Sequence, residues 1–184
     1  MVDLAIVNGV VVSPATTHER ASVLIKHGKI HSIVAANERV AARQTLDAKG
    51  MLVLPGAIDI HVHCRAPSFP ERGDFASESR AAAAGGVTTI FEMPISKPCC
   101  ATTEVWNSRR DLAARDAYVN IGLYGAPGLL DPKEINGMAE AGAIGFKLFM
   151  TQAAKGREDE FLGLTTNNLA DIVRALELIQ PTGL

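Results

Sequence analysis

The sequence predicts an α/β protein in two parts, on three observations. Residues 1–54 carry short apolar runs broken by the turn pairs Asn8-Gly9, His27-Gly28 and Lys49-Gly50, with no helical periodicity. From Ile58 onward, strand-like and helix-like segments alternate four times. The pair Pro55-Gly56 punctuates the change of pattern. The expectation is a small β domain over 1–54, followed over 55–184 by four β-then-α units. Such alternation implies a parallel sheet with helical crossovers. The absence of a G-x-G-x-x-G turn argues against the dinucleotide-binding version of such a sheet. Such a sheet closes as an eight-stranded barrel or stays open; a whole barrel takes about 250 residues, so in the barrel reading 55–184 is the first half of a (β/α)8 barrel.

In the first part, the run Asp3 to Val12 reads as a hairpin turning at Asn8-Gly9. Ser22 to Ile25 and Ile30 to Val34 form a strand-turn-strand unit about His27-Gly28, and Thr45 to Leu54 a third about Lys49-Gly50. In the second part, Ile58 to Cys64 reads as a buried strand, Ser77 to Ala84 as an Ala-rich helix stopped by Gly85-Gly86, and Val87 to Met93 as a β-branched strand closed by Pro94. Thr103 to Arg115 and Pro132 to Ala141 are helices, and Tyr118 to Tyr124 and Ile144 to Met150 strands. Asn167 to Ile179 is an amphipathic helix with Leu169, Ile172, Val173, Leu176 and Ile179 at helical spacing.

Composition narrows the function classes. The 184 residues are 47% hydrophobic and contain no uncharged apolar run of about 18 residues, the pattern of a globular chain. The formal net charge of −2 offers no basic footprint for nucleic acid and no polybasic membrane signal. Met1 to Val12 contains Asp3 and lacks a basic leader, so no signal peptide is read there. Cys64, Cys99 and Cys100 have no zinc-ribbon spacing and fit free thiols in a reducing cytoplasm.

The chemistry concentrates in Asp59-Ile60-His61-Val62-His63. On a strand, alternate side chains share a face, so Asp59, His61 and His63 point together. On a helix, His61 and His63 would diverge by about 200°. Only the extended form lets both imidazoles reach one metal ion, and barrel chemistry gathers at the C-terminal ends of strands. Two ordinary histidines on a half-buried strand are the bland alternative. The second signal is Lys147, in the apolar stretch Gly145-Phe146-Lys147-Leu148-Phe149-Met150. Lysine is almost never fully buried unless paired; a snorkelling side chain is the alternative. His18, His27 and His31 read as surface residues. The run Lys155 to Glu160 reads as a solvated loop, or as a cover for a site at that end of the strands.

Three motifs in order resemble one family. Pro55-Gly56-Ala57-Ile58-Asp59-Ile60-His61-Val62-His63 looks like the opening metal motif of the amidohydrolase superfamily. Arg80-Ala81-Ala82-Ala83-Ala84-Gly85-Gly86-Val87-Thr88-Thr89 with Met93-Pro94 looks like its cyclic amidohydrolase branch of dihydroorotases, allantoinases and hydantoinases. Gly145 to Met150 resembles that branch's carboxylated-lysine strand, and the N-terminal β segment its small β domain.

The resemblance implies a hydrolase that opens a cyclic amide or ureide ring. It implies two divalent metal ions, zinc by custom, with His61 and His63 on one and Lys147, as N6-carboxylysine, bridging both. It implies that Arg65 pairs with a substrate carboxylate, a task suited to a planar guanidinium. Ser96 is the nearest polar stand-in for the substrate-reading asparagine, since Pro94-Ile95-Ser96 matches neither the dihydroorotases' Pro-Asn-Thr nor the allantoinases' Pro-Leu-Asn, and Arg65-Ala66-Pro67-Ser68 stands for the usual Arg-Glu-Pro-Gly. The histidines of the second metal and the proton-shuttling aspartate belong to later strands, so no catalytic acid is expected before Leu184 and the chain alone is expected to be inactive. The partners implied are a small-molecule substrate and, for a complete protein, further copies of itself, with neither nucleic acid nor membrane. The alternatives are a non-catalytic binding or structural homologue and an open α/β sheet that binds a metabolite.

Overall fold

A computed structural model describes residues 1–184, the side chain of Glu19 excepted. They fall into two units, Met1–Pro55 and Gly56–Leu184. The first unit is one sheet of β1 (Val2–Val12), β2 (Thr17–Lys26), β3 (Lys29–Ala35), β4 (Ala42–Asp47) and β5 (Leu52–Val53). The order is β3-β2-β1-β4, with β5 also on β1. His27 and Gly28 take positive φ, 53° and 71°, as the tight turn of an antiparallel hairpin requires, and join β2 to β3 there.

Two sequence expectations are corrected in this sheet. Asn8-Gly9 does not turn the chain: β1 runs through it, and the register against β2 shifts between Ile6 and Gly9 and again between Gly9 and Val11. The pair forms a bulge, because the ten residues of β2 are long enough to pair with both halves of β1. Asn8 sits at φ 57° and its amide donates to Asp47 Oδ1 at 3.0 Å. Gly9 has no room for a side chain, since a Cβ there would lie 2.5 Å from Val53. Likewise β4 and β5 do not form a hairpin about Lys49-Gly50. Both run parallel to β1, β4 beside Val2–Val7 and β5 beside Val10 and Val11, so the turn is a kink in one edge.

The second unit begins with three parallel strands in chain order, β6 (Ala57–Val62), β7 (Val87–Glu92) and β8 (Asn120–Leu123). The crossovers are α1 (Phe75–Ala84) and α2 (Thr103–Asp116); α3 (Pro132–Ala141) follows β8, and α4 (Leu169–Ile179) lies near the end. Each helix starts on a polar cap. Asp74 and Ser77 form a reciprocal capping box on α1, and Thr102, Asp131 and Asn168 accept from first-turn amides of α2, α3 and α4. Phe75, Ile90, Trp106, Leu123 and Met138 pack the core between strands and helices. Among the described residues no helix is long and apolar enough to cross a membrane.

Three further expectations change. Ile144 to Met150 is not a regular strand. It follows the end of β8 through Ile144 N–H to Leu123 O and Lys147 N–H to Gly125 O, with single bridges Gly125–Phe146 and Phe149–Thr165. Residues 57–61 of β6 are exposed rather than buried, with Ile58 and Ile60 each about 60% accessible, because no other described segment of this unit covers those side chains. The apolar stripe of α4 is also open: Leu169, Val173 and Leu176 are exposed, and Ala175 is the fully buried residue of that helix.

Candidate functional site

β6 delivers both histidines of the H-x-H pair to one place. Their ring centroids lie 5.3 Å apart, tilted by 57°. Asp59, one step earlier on the same side, accepts the His61 backbone N–H at 3.0 Å. His61 is exposed and His63 half-buried. Burial, reinforced by the charges of Arg65, His61, Arg157 and Lys147, lowers the His63 pKa from 6.5 to about 4. His63 is therefore a neutral imidazole at physiological pH, the form that ligates metals. Its Nδ1 is buried without a hydrogen-bond partner.

Arg65, just past the H-x-H pair, sits at φ 56°, a left-handed conformation uncommon for a side chain of its size. Lys147 is half-buried, and its Nζ lies 5.0 Å from the centroid of Phe149. The loop Lys155 to Glu160 is pinned rather than freely solvated. Arg157 donates twice to Glu160, at 2.7 and 2.6 Å, Glu160 is buried, and Asp159 pairs with Lys97 in the loop after β7. Among the described residues no group of three or more His, Cys, Asp or Glu is placed to hold a metal, so the donors in hand are two imidazoles and an amine.

Ser96 is 3% exposed, and its hydroxyl is engaged inside the protein, 2.8 Å from that of Ser68 and within reach of the Ala66 carbonyl. It clasps the loop after β6 to the loop after β7. His18, His27 and His31 are exposed on the N-terminal sheet.

Sequence reasoning passed over one element of this neighbourhood. Glu92, the last residue of β7, is buried and accepts the Cys64 N–H at 2.8 Å. Burial raises its pKa from 4.5 to about 7, against the lowering pull of that hydrogen bond and of Arg109. A carboxylate ending an apolar β-branched run was the available signal, of the same kind as Lys147.

Parallel strands joined by helices, with an H-x-H pair at one strand end, define an α/β protein with a candidate metal-holding strand end. No family model matches the chain. It is 40% identical over 142 residues to the L-hydantoinase of Paenarthrobacter aurescens, covering 76% of this chain and 31% of that protein. It is 39% identical over 146 residues to the allantoinase of Bacillus velezensis, covering 78% and 31%. The dihydroorotase of Listeria innocua is 34% identical over 143 residues, covering 76% and 33%. Among solved structures, L-hydantoinase (dihydropyrimidinase) from Arthrobacter aurescens superposes with a TM-score of 0.87 at 34% identity, over 100% of this chain and 39% of that one. The chain belongs to the amidohydrolase superfamily, in its cyclic amidohydrolase branch, and corresponds to the N-terminal part of these relatives. It spans about a third of the length of the curated relatives it matches.

Proposed function

We propose that this chain supplies the first metal-holding strand, the lysine ligand and a carboxylate-reading arginine of a metal-dependent hydrolase that opens a cyclic amide or ureide ring. The relatives named L-hydantoinase, allantoinase and dihydroorotase support ring-amide hydrolysis as the reaction class. The three parallel strands in chain order, with Ile144–Met150 continuing past β8, support reading the second unit as the start of a (β/α)8 barrel.

In this reading His61, His63 and Lys147 would help to hold two divalent ions, zinc for preference. When bound, such ions polarise a carbonyl and bring a water toward ionisation near neutral pH. The residues fit that role in three respects. His63 is neutral at working pH and has a buried nitrogen without a partner. His61 and His63 share one strand end. Lys147 is near enough for its charge to be felt at His63, and as a carbamate it would change from a repelling cation to an anion with two oxygen donors. Arg65, fixed in its unusual backbone conformation beside His63, offers a fork of N–H donors to a carboxylate on the ring or formed by its opening. The free cysteines suit a cytoplasmic setting.

The observation that carries the reading is the placing of the His61 and His63 rings 5.3 Å apart at one strand end, with a buried His63 nitrogen left without a partner. The test is hydrolysis of hydantoin, allantoin and dihydroorotate by the protein at its full natural length, with zinc and bicarbonate, beside its His61→Ala variant. Turnover of at least one ring, lost in the variant, is expected. No turnover of any of them, with a normally folded protein, would favour a non-catalytic binding homologue.

A further inference from the structure

Two charged side chains are sealed inside the second unit, and the reading above leaves them without a task. Glu92 closes β7 and Arg109 lies in α2; each side chain is 1% exposed. Glu92 divides its carboxylate. Oε2 accepts the Cys64 N–H at 2.8 Å, while Oε1 faces Arg109 Nη1 at 3.6 Å. That second distance is an ion pair without a hydrogen bond, and neither atom has a hydrogen-bond partner. Arg109 also reaches the Pro98 carbonyl, at 3.4 Å, in the loop that carries Ser96.

The location of the Cys64 N–H gives this arrangement its meaning. Cys64 lies between His63 and Arg65 and is fully buried. The ladder between β6 and β7 slips between Asp59 and Val62, and its last contacts are Val62 opposite Glu92 and Met93 N–H to Val62 O. Sheet pairing therefore ends before the histidine it must aim. The next buried amide is held by the Glu92 side chain instead, and the chain turns at once into the left-handed conformation of Arg65. A buried donor left without an acceptor is strongly disfavoured, so this one bond constrains the peptide that links the two functional residues.

We propose that Glu92, braced by Arg109, is a positioning residue of this site: its carboxylate fixes the His63–Cys64 peptide and so aims the His63 imidazole and the Arg65 guanidinium. The inference rests on the proposed role of His63 for its metal readout, and not for its backbone readout.

The bland alternative is an ordinary buried ion pair that serves the core. A double variant separates the two. Glu92→Leu with Arg109→Met removes both charges together and strands neither, an exchange that buried ion pairs often tolerate. In the protein at its full natural length, three quantities are measured: thermal midpoint, exchange of the Cys64 amide with His63 ring resonances by NMR, and zinc affinity by competition with a chelator. The expected double variant folds but melts several degrees below the unsubstituted protein, because the buried Cys64 N–H loses its acceptor. Its Cys64 amide exchanges at least about tenfold faster, its His63 resonances shift, and it binds zinc about 10- to 100-fold more weakly, the usual loss when an outer partner of a ligand is removed. Unchanged Cys64 protection, His63 resonances and zinc affinity in that folded variant would overturn the proposal.

Should the double variant not fold, Glu92→Gln decides. It keeps an acceptor for the Cys64 N–H and loses the charge, so near-normal protection and zinc binding are expected. Loss of both in a folded protein would assign the effect to the ion pair. If the unsubstituted protein and His63→Ala alike bind no zinc, the metal reading falls. The Cys64 and His63 resonances then decide the positioning role alone, by the same outcomes.

Discussion

His63 combines half-burial, a neutral imidazole and an unpartnered nitrogen, a state that is unfavourable unless something completes it. Two buried thiols show the opposite behaviour, burial that silences a group. Cys99 is 4% exposed and its pKa is pushed up from 9.0 to about 12 by burial, and that of Cys100 is raised by the same cause. The reactive form of a thiol is the thiolate. Neither residue should therefore react with iodoacetamide at pH 8 in the native protein, while both should react after denaturation; rapid native labelling would contradict this. A thiol whose pKa is raised on folding contributes fully below pH 9 and loses that contribution as pH rises toward 12, so Cys99 sharpens alkaline rather than acid unfolding. The sequence exposed His61, His63 and Lys147 because each breaks an apolar strand pattern. Glu92 breaks it equally, but its partner Arg109 lies in a helix seventeen positions on, and no periodicity reveals such a pairing.

Among the elements, the helices were legible because their determinants are local. Polar caps at Asp74, Thr102, Asp131 and Asn168, and glycines at the ends of α1 and α3, mark the boundaries within a few residues. The sheet edges were less so. Asn-Gly is a turn signal where the flanking strands have only each other to pair with; here β2 and β4 pair with β1 on both sides, and the same dipeptide becomes a bulge. Lys49 and Gly50 do turn, at φ 50° and 81°, but both arms then align with β1 instead of with one another. Ile144–Met150 has a strand's composition and only isolated bridges, since strand character depends on neighbours as much as on residue type.

For the whole molecule, the exposed apolar surface is the dominant physical fact. Ile58 and Ile60 on β6, and Leu169, Val173 and Leu176 on α4, are all more than half accessible in the Gly56–Leu184 unit. Apolar strands and stripes left open template association. The 184-residue polypeptide made alone should therefore elute as oligomer or aggregate in size-exclusion chromatography and show weak near-UV circular dichroism. A monodisperse monomer with a sharp cooperative melt would contradict this. The chain spans about a third of the length of the relatives named L-hydantoinase, allantoinase and dihydroorotase, so the ring-opening reading is tested on the protein at its full natural length.

The central claim is that Lys147 joins His61 and His63 in holding metal. Its most direct test is the metal content of the full-length protein and of Lys147→Ala, purified with zinc and bicarbonate and measured by plasma mass spectrometry, with and without added acetate or propionate. The account predicts bound divalent metal in the unsubstituted protein, its loss in Lys147→Ala, and partial return when a short carboxylic acid occupies the vacated place. A Lys147→Ala protein that keeps its full metal content with no added acid would contradict it.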